Sequence, residues 1–107
     1  MPATQTKITV QISKPNITCI EKDGHAHLHR AQQDQIRWIS HDGPFTLVFT
    51  DFDSGATVPA PFTPPPTFPT TDTNWLTVHV SAVPRYFKYF VKAPGCNDLD
   101  PIIIVDN

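Results

Sequence analysis

The chain has 107 residues, 39% hydrophobic and only 17% charged, with a formal charge of -2. That is one domain around one core, burying roughly 60 to 68% of the surface its unfolded chain exposes. The eight lysines and arginines are scattered, which excludes the basic field a nucleic-acid backbone requires, and no run reaches the ~20 apolar residues of a membrane-spanning helix. Met1 to Val10 has no charged start followed by an apolar core. The expected location as written is therefore cytoplasmic, with a mature secreted form carrying a replacement Met as the alternative. Five histidines against a charge of -2 make the surface positive when all are protonated in mild acid.

Val, Ile, Thr, Phe and Trp dominate the apolar runs, a composition that fits pleated, half-buried surfaces. Lys7 to Ser13 sets Ile8, Val10 and Ile12 on one face, which predicts a strand by its period of two. Ile17 to Glu21 predicts a second strand, closed by Lys22-Asp23-Gly24, and Ala26 to Arg30 a further extended segment. Gln35 to Ile39 and Phe45 to Phe49 flank Asp42-Gly43, a tight-turn pair, and so predict a hairpin. Val58 to Pro69 carries six prolines, which donate no ladder hydrogen bonds; a long surface connection without a strand is expected. Trp75 to Val83 alternates, and the aromatic run Arg85 to Lys92 follows Pro84, predicting a second hairpin. Ile102 to Val105 reads as a last strand covered on both faces. No segment has a capped helical period. The sum is an all-β, antiparallel-rich, two-sheet sandwich, with its first and last strands as candidates for parallel pairing.

Within this frame, Ile36-x-Trp38, Asp42-Gly43-Pro44 leading into Phe45-x-Leu47-x-Phe49, Tyr86-x-x-Tyr89-x-Val91 and Asp100-Pro101 before Ile102 resemble the cupredoxin-like domains, over nearly the whole chain from Lys7 to Val105. The resemblance implies a Greek-key sandwich of roughly seven strands. In its copper-binding members a ligand His follows the turn, and here that place falls on or near Phe45. The remaining ligands belong to the loop before the last strand, here Val91 to Leu99, which offers only Cys96; no His occurs after His79 and the only Met is Met1. Blue-copper chemistry needs a thiolate and two imidazoles together, so the resemblance is to members that keep the sandwich without metal. It implies fold and little else.

Three patterns invite a functional reading. His25-x-His27-x-His29 places three imidazoles on one face if Ala26 to Arg30 is a strand, neighbours about 7 Å apart at Cα by the ~3.3 Å rise, where they could converge on zinc, nickel or copper(II). No Cys or carboxylate at ligand spacing completes the set, and His41 and His79 are the only imidazoles left to do so. Ordinary solvated side chains are therefore the preferred reading. In the proline-rich stretch, Phe62, Pro64, Pro65, Pro66 and Phe68 could enter a partner's pockets, with Pro61-x-x-Pro64 at PxxP spacing. The simpler reading is a stiff crossover whose two Phe side chains seal one end of the sandwich. Asp51, Asp53, Asp98 and Asp100 could pair for acid-base work, but Asp51-Phe52-Asp53-Ser54-Gly55 lacks a calcium loop's ligand spacing and reads as a turn. Cys19 and Cys96 are either two free thiols or one disulfide, free thiols being the default in a cytosolic chain.

No nucleophile elbow or glycine-rich phosphate loop occurs among only four glycines, so catalysis has no positive signal and no cofactor is expected. The expected function is a non-catalytic, copper-free module acting through protein contacts or self-association, by an open sheet edge or the proline-rich loop. The alternative is a metal-binding protein using His25, His27 and His29.

Overall fold

The structure, a computed structural model, describes residues 3–79 and 85–107. Nine strands occur among them: β1 Gln5–Ser13, β2 Asn16–Cys19, β3 Ala26–His29, β4 Gln35–Ser40, β5 Thr46–Asp51, β6 Phe62–Thr63, β7 Leu76–Val78, β8 Arg85–Lys92 and β9 Ile102–Asp106. They form two sheets, ordered β2-β1-β4-β7-β6 and β3-β9-β8-β5. The fold is an all-β sandwich, and its alternating residues meet in one core as the period-two pattern requires. Ile8, Val10, Ile36 and Trp38 from the first sheet pack opposite Leu28, Leu47, Phe49, Tyr89 and Ile103 from the second, all buried.

Both expected hairpins are sheet crossings instead. β4 lies between β1 and β7, whereas β5 pairs with β8 in the other sheet. Ile36 and Trp38 on β4 and Leu47 and Phe49 on β5 are all buried, so the two strands face each other across the core. The Asp-Gly turn makes the corner between sheets, and Asp42 Oδ2 accepts the Ile12 N–H at 3.0 Å. That amide lies beyond the end of the β1–β4 ladder, whose last pair is Val10 and Ser40. The Asp of the turn thus caps a strand edge. Likewise β7 pairs with β4 and β6 while β8 pairs with β5 and β9; the predicted strand from Trp75 is Leu76–Val78, and its reach over 80–83 lies outside the described residues.

The parallel pairs also differ from expectation. β1 runs parallel to β4 and β3 runs parallel to β9, so the first and last strands lie in separate sheets. The proline-rich stretch is not strand-free: Phe62 and Thr63 pair with Val78 and Thr77 as β6. Pro61 and Pro64 on either side hold that strand to two residues, since neither can donate to a ladder.

A single buried phenol ties the layers together. Trp38 Nε1 donates to the Tyr89 hydroxyl at 3.2 Å, and that hydroxyl donates to the Gly24 carbonyl. Burial, the largest influence, pushes the Tyr89 pKa far above its usual value, so the donor proton is retained. Gly24 ends a left-handed turn with Lys22 at φ 49°, Asp23 at 56° and Gly24 at 86°. A Cβ at Gly24 would stand 2.7 Å from Pro101 Cγ and 2.9 Å from the Tyr89 hydroxyl, so only glycine fits there. Glu21 completes the turn by accepting the Thr9 N–H at 2.6 Å and the Thr9 hydroxyl at 3.0 Å.

Replacing Tyr89 by Phe leaves the Trp38 N–H and the Gly24 carbonyl buried without this partner. We expect a loss of about 1–3 kcal/mol in urea unfolding; an unchanged midpoint would contradict the bridging role.

Candidate functional site

The clustered histidines sit on β3, an edge strand beside β9. Ala26 and Leu28 point into the core, leaving His27 and His29 on the outer face, their rings stacked at 4.8 Å with 23° between planes. Parallel pairing sets His27 beside Ile104 and His29 beside Asp106. His27 Nε2 then donates to Asp106 Oδ2 at 3.2 Å. His27, His29 and Asp106 each offer a ligand atom, all within 4.8 Å of one another.

His25 does not join them. It precedes the strand, its N–H donates to the Lys22 carbonyl at 3.0 Å, and its Nδ1 accepts the Ile102 N–H at 3.0 Å. The left-handed turn before it ties this imidazole to the start of β9. Neither His41 nor His79 belongs to the group among the described residues. Of the three histidines weighed as an alternative metal set, the structure brings His27 and His29 together, with Asp106 as the carboxylate beside them.

Asp34 stands behind the pair. At 1% exposure its carboxylate accepts the His29 N–H at 2.8 Å, the Thr4 N–H at 2.8 Å and the His29 Nδ1–H at 3.3 Å. Burial alone would raise its pKa, but these hydrogen bonds from Thr4 and His29 outweigh it and hold the group below the usual carboxylate value. Asp106 is also held low, first by the Asn107 N–H and then by His27. Sequence offered no signal for Asp106, 79 residues from its partner; Asp34, five residues after His29, was within local reach.

Next to the pair, the outer face of this sheet opens into a groove of about 600 Å³ lined by His27, Phe52, Arg85, Tyr86, Ile104 and Asp106. Tyr86 is 53% and Phe52 45% exposed, and their rings meet edge to face at 6.0 Å. On the far side of Tyr86 a second hollow of about 320 Å³ is lined by Lys22, His25 and Ile102 among others.

The other candidates are placed differently. Phe62 is 1% exposed and packs on Trp38 at 5.8 Å, so it is a core residue and projects toward no partner. Phe68 is half-buried against Phe45 at 6.4 Å; Pro64 and Pro65 are exposed and Pro66 half-buried. The acids pair with cations rather than with each other: Asp51 with Arg85 at 3.4 Å, Asp98 with Lys92 at 2.5 Å and Asp100 with Lys88 at 3.1 Å. Asp51 also accepts the Asp53 N–H at 3.0 Å, as a turn requires. Cys19 and Cys96 are free thiols, and burial, followed by Glu21 and Asp23, pushes Cys19 up to about 12. No helix among the described residues is long and apolar enough to cross a membrane.

No protein-family model matches the chain, and no curated protein matches it either.

Because the folded pKa of Asp34 lies below its ordinary 3.8, its contribution to stability is full above the unfolded value and is lost as pH falls through the folded one. Acid unfolding of the wild type should therefore steepen below about pH 4, and Asp34→Asn should flatten that limb while lowering stability at neutral pH. An unchanged acid limb in the variant would remove Asp34 from this role.

Proposed function

We propose that the chain is a non-catalytic, copper-free cupredoxin-like module that acts through protein contacts, and that its contact surface is the outer face of the four-stranded sheet. The observation that carries this reading is the exposed Tyr86–Phe52 pair at one end of that face, where β8 begins and β5 ends. Half-buried Ile102, Ile104, Phe90 and Val48 extend the apolar surface on the same sheet. Exposed aromatic rings set among half-buried apolar and charged residues are the usual composition of a binding hot spot.

The sheet edges support this reading by being poor alternatives. At β3 the His25 N–H is taken by Lys22, the His29 N–H by the Asp34 carboxylate, and the His29 carbonyl by the Asp34 N–H at 3.3 Å. The outer edge of β5 bonds to the segment that follows it, with Val58 N–H to Phe49 O and Asp51 N–H to Ala56 O, both at 2.9 Å. β6 has two residues and β2 four. Blunted and short edges of this kind resist strand addition, and the buried Phe62 weakens the proline-rich loop as a docking ligand.

The occupant that fits best is a second copy of the chain. Charges around the face come in compensated pairs, Lys88 with Asp100 and Lys92 with Asp98. Such a surface can meet its own image about a two-fold axis without net repulsion. Four strands spaced about 4.8 Å span only about 19 Å, which places the contact at the low end of interface sizes and makes the dimer weak and reversible.

Sedimentation equilibrium at rising concentration should show a monomer–dimer equilibrium, weakened at least tenfold by Tyr86→Lys and by Ile104→Lys, each checked for folding by circular dichroism. Pro65→Ala should leave it unchanged. A monomer at all concentrations, or a dimer indifferent to both lysine variants, would overturn the reading.

A further inference from the structure

We propose that His27, His29 and Asp106 form a binding site for a divalent transition-metal ion of the zinc, nickel or copper(II) kind. Ligand atoms around a tetrahedral ion with bonds of about 2.0 Å stand about 3.3 Å apart. His27 Nε2 and Asp106 Oδ2 are already 3.2 Å apart, and the third ligand atom lies within 4.8 Å of both. The side chains of His27, His29 and Asp106 are 51%, 38% and 53% exposed, so small rotations can close the remaining gap.

Asp34 supports the site from behind His29. By accepting the Nδ1–H of His29 from a buried position it fixes the tautomer, leaving the Nε2 lone pair of that ring available to an ion. A carboxylate behind a ligating imidazole orients the ring and raises its basicity, an arrangement typical of protein metal sites. When an ion takes the Nε2 lone pair of His27 the ring proton moves to Nδ1, so the ligating imidazole stays neutral and Asp106 Oδ2 is released from its hydrogen bond to face the ion. Two imidazoles and one carboxylate suit zinc, nickel and copper(II); calcium prefers an all-oxygen shell of six to eight ligands.

The site lies on β3 and β9, whereas the loop that would carry copper ligands in a copper-binding cupredoxin lies between β8 and β9. His27 and Asp106 also line the Tyr86 groove. The inference is independent of dimer formation and is tested on dilute protein.

The test is calorimetric titration of chelator-stripped full chain with copper(II), nickel, zinc and calcium chlorides at pH 7.5, with copper(II) electron paramagnetic resonance on the same samples. The expected result is one ion per chain, affinity falling from copper to nickel and zinc, no calcium uptake, and nitrogen hyperfine structure from two imidazoles. His27→Ala, His29→Ala and Asp106→Asn should each weaken binding at least tenfold. Asp34→Asn, acting through His29, should weaken it about 10- to 100-fold and alter the hyperfine pattern. His41→Ala and His79→Ala should change neither reading. Absence of stoichiometric uptake by the wild type, equal uptake of calcium, or binding insensitive to both His27→Ala and Asp106→Asn would overturn the proposal.

Discussion

The Tyr89 hydroxyl is the point on which the rest of the molecule depends. It accepts from Trp38 in one sheet and donates to the carbonyl of Gly24 in the turn that leads to β3. Gly24 in turn lies so close to Pro101 that no Cβ fits between them. One buried phenol therefore fixes where β3 begins relative to where β9 begins. The parallel register that follows sets His29 beside Asp106. The outer surface is thus positioned from within: shifting β3 by one residue would turn Leu28 outward and bury the imidazoles.

Polar groups near the edge of this sheet complete the same design. A carboxylate as buried as Asp34 would be unfavourable alone, and it is held by two backbone amides and an imidazole. The same contacts close the free edge of β3 at His29 while orienting that ring. Structural and chemical roles coincide in one residue, so substitutions at Asp34 are expected to touch stability and site geometry together.

What was legible in the sequence was local. Alternation marked β1 and β8, because side-chain period is a direct image of burial; the apolar run after Asp100-Pro101 marked β9 but implied cover on both faces, whereas Ile102 and Ile104 are half-buried on the outer one. The pairing of those strands was not legible. Asp42-Gly43 is a good turn signal, but a turn does not say whether the next strand joins the same sheet, and the capping of Ile12 by Asp42 belongs to tertiary structure. The prolines hid β6, since two residues carry no period. The histidines were visible as a group, yet their division was not: a left-handed turn drew His25 to the backbone of β9, and Asp106 arrived from the far end of the chain.

This fold puts three histidines of one short sequence pattern into three different hydrogen-bonding settings. The decisive measurement is a set of long-range proton–nitrogen correlation spectra of the imidazole rings, recorded on metal-free protein above neutral pH. The structure predicts a proton on Nε2 of His25, whose Nδ1 accepts from Ile102, on Nε2 of His27, which donates to Asp106, and on Nδ1 of His29, which donates to Asp34. Three rings showing the same averaged tautomer pattern as free imidazole would contradict it.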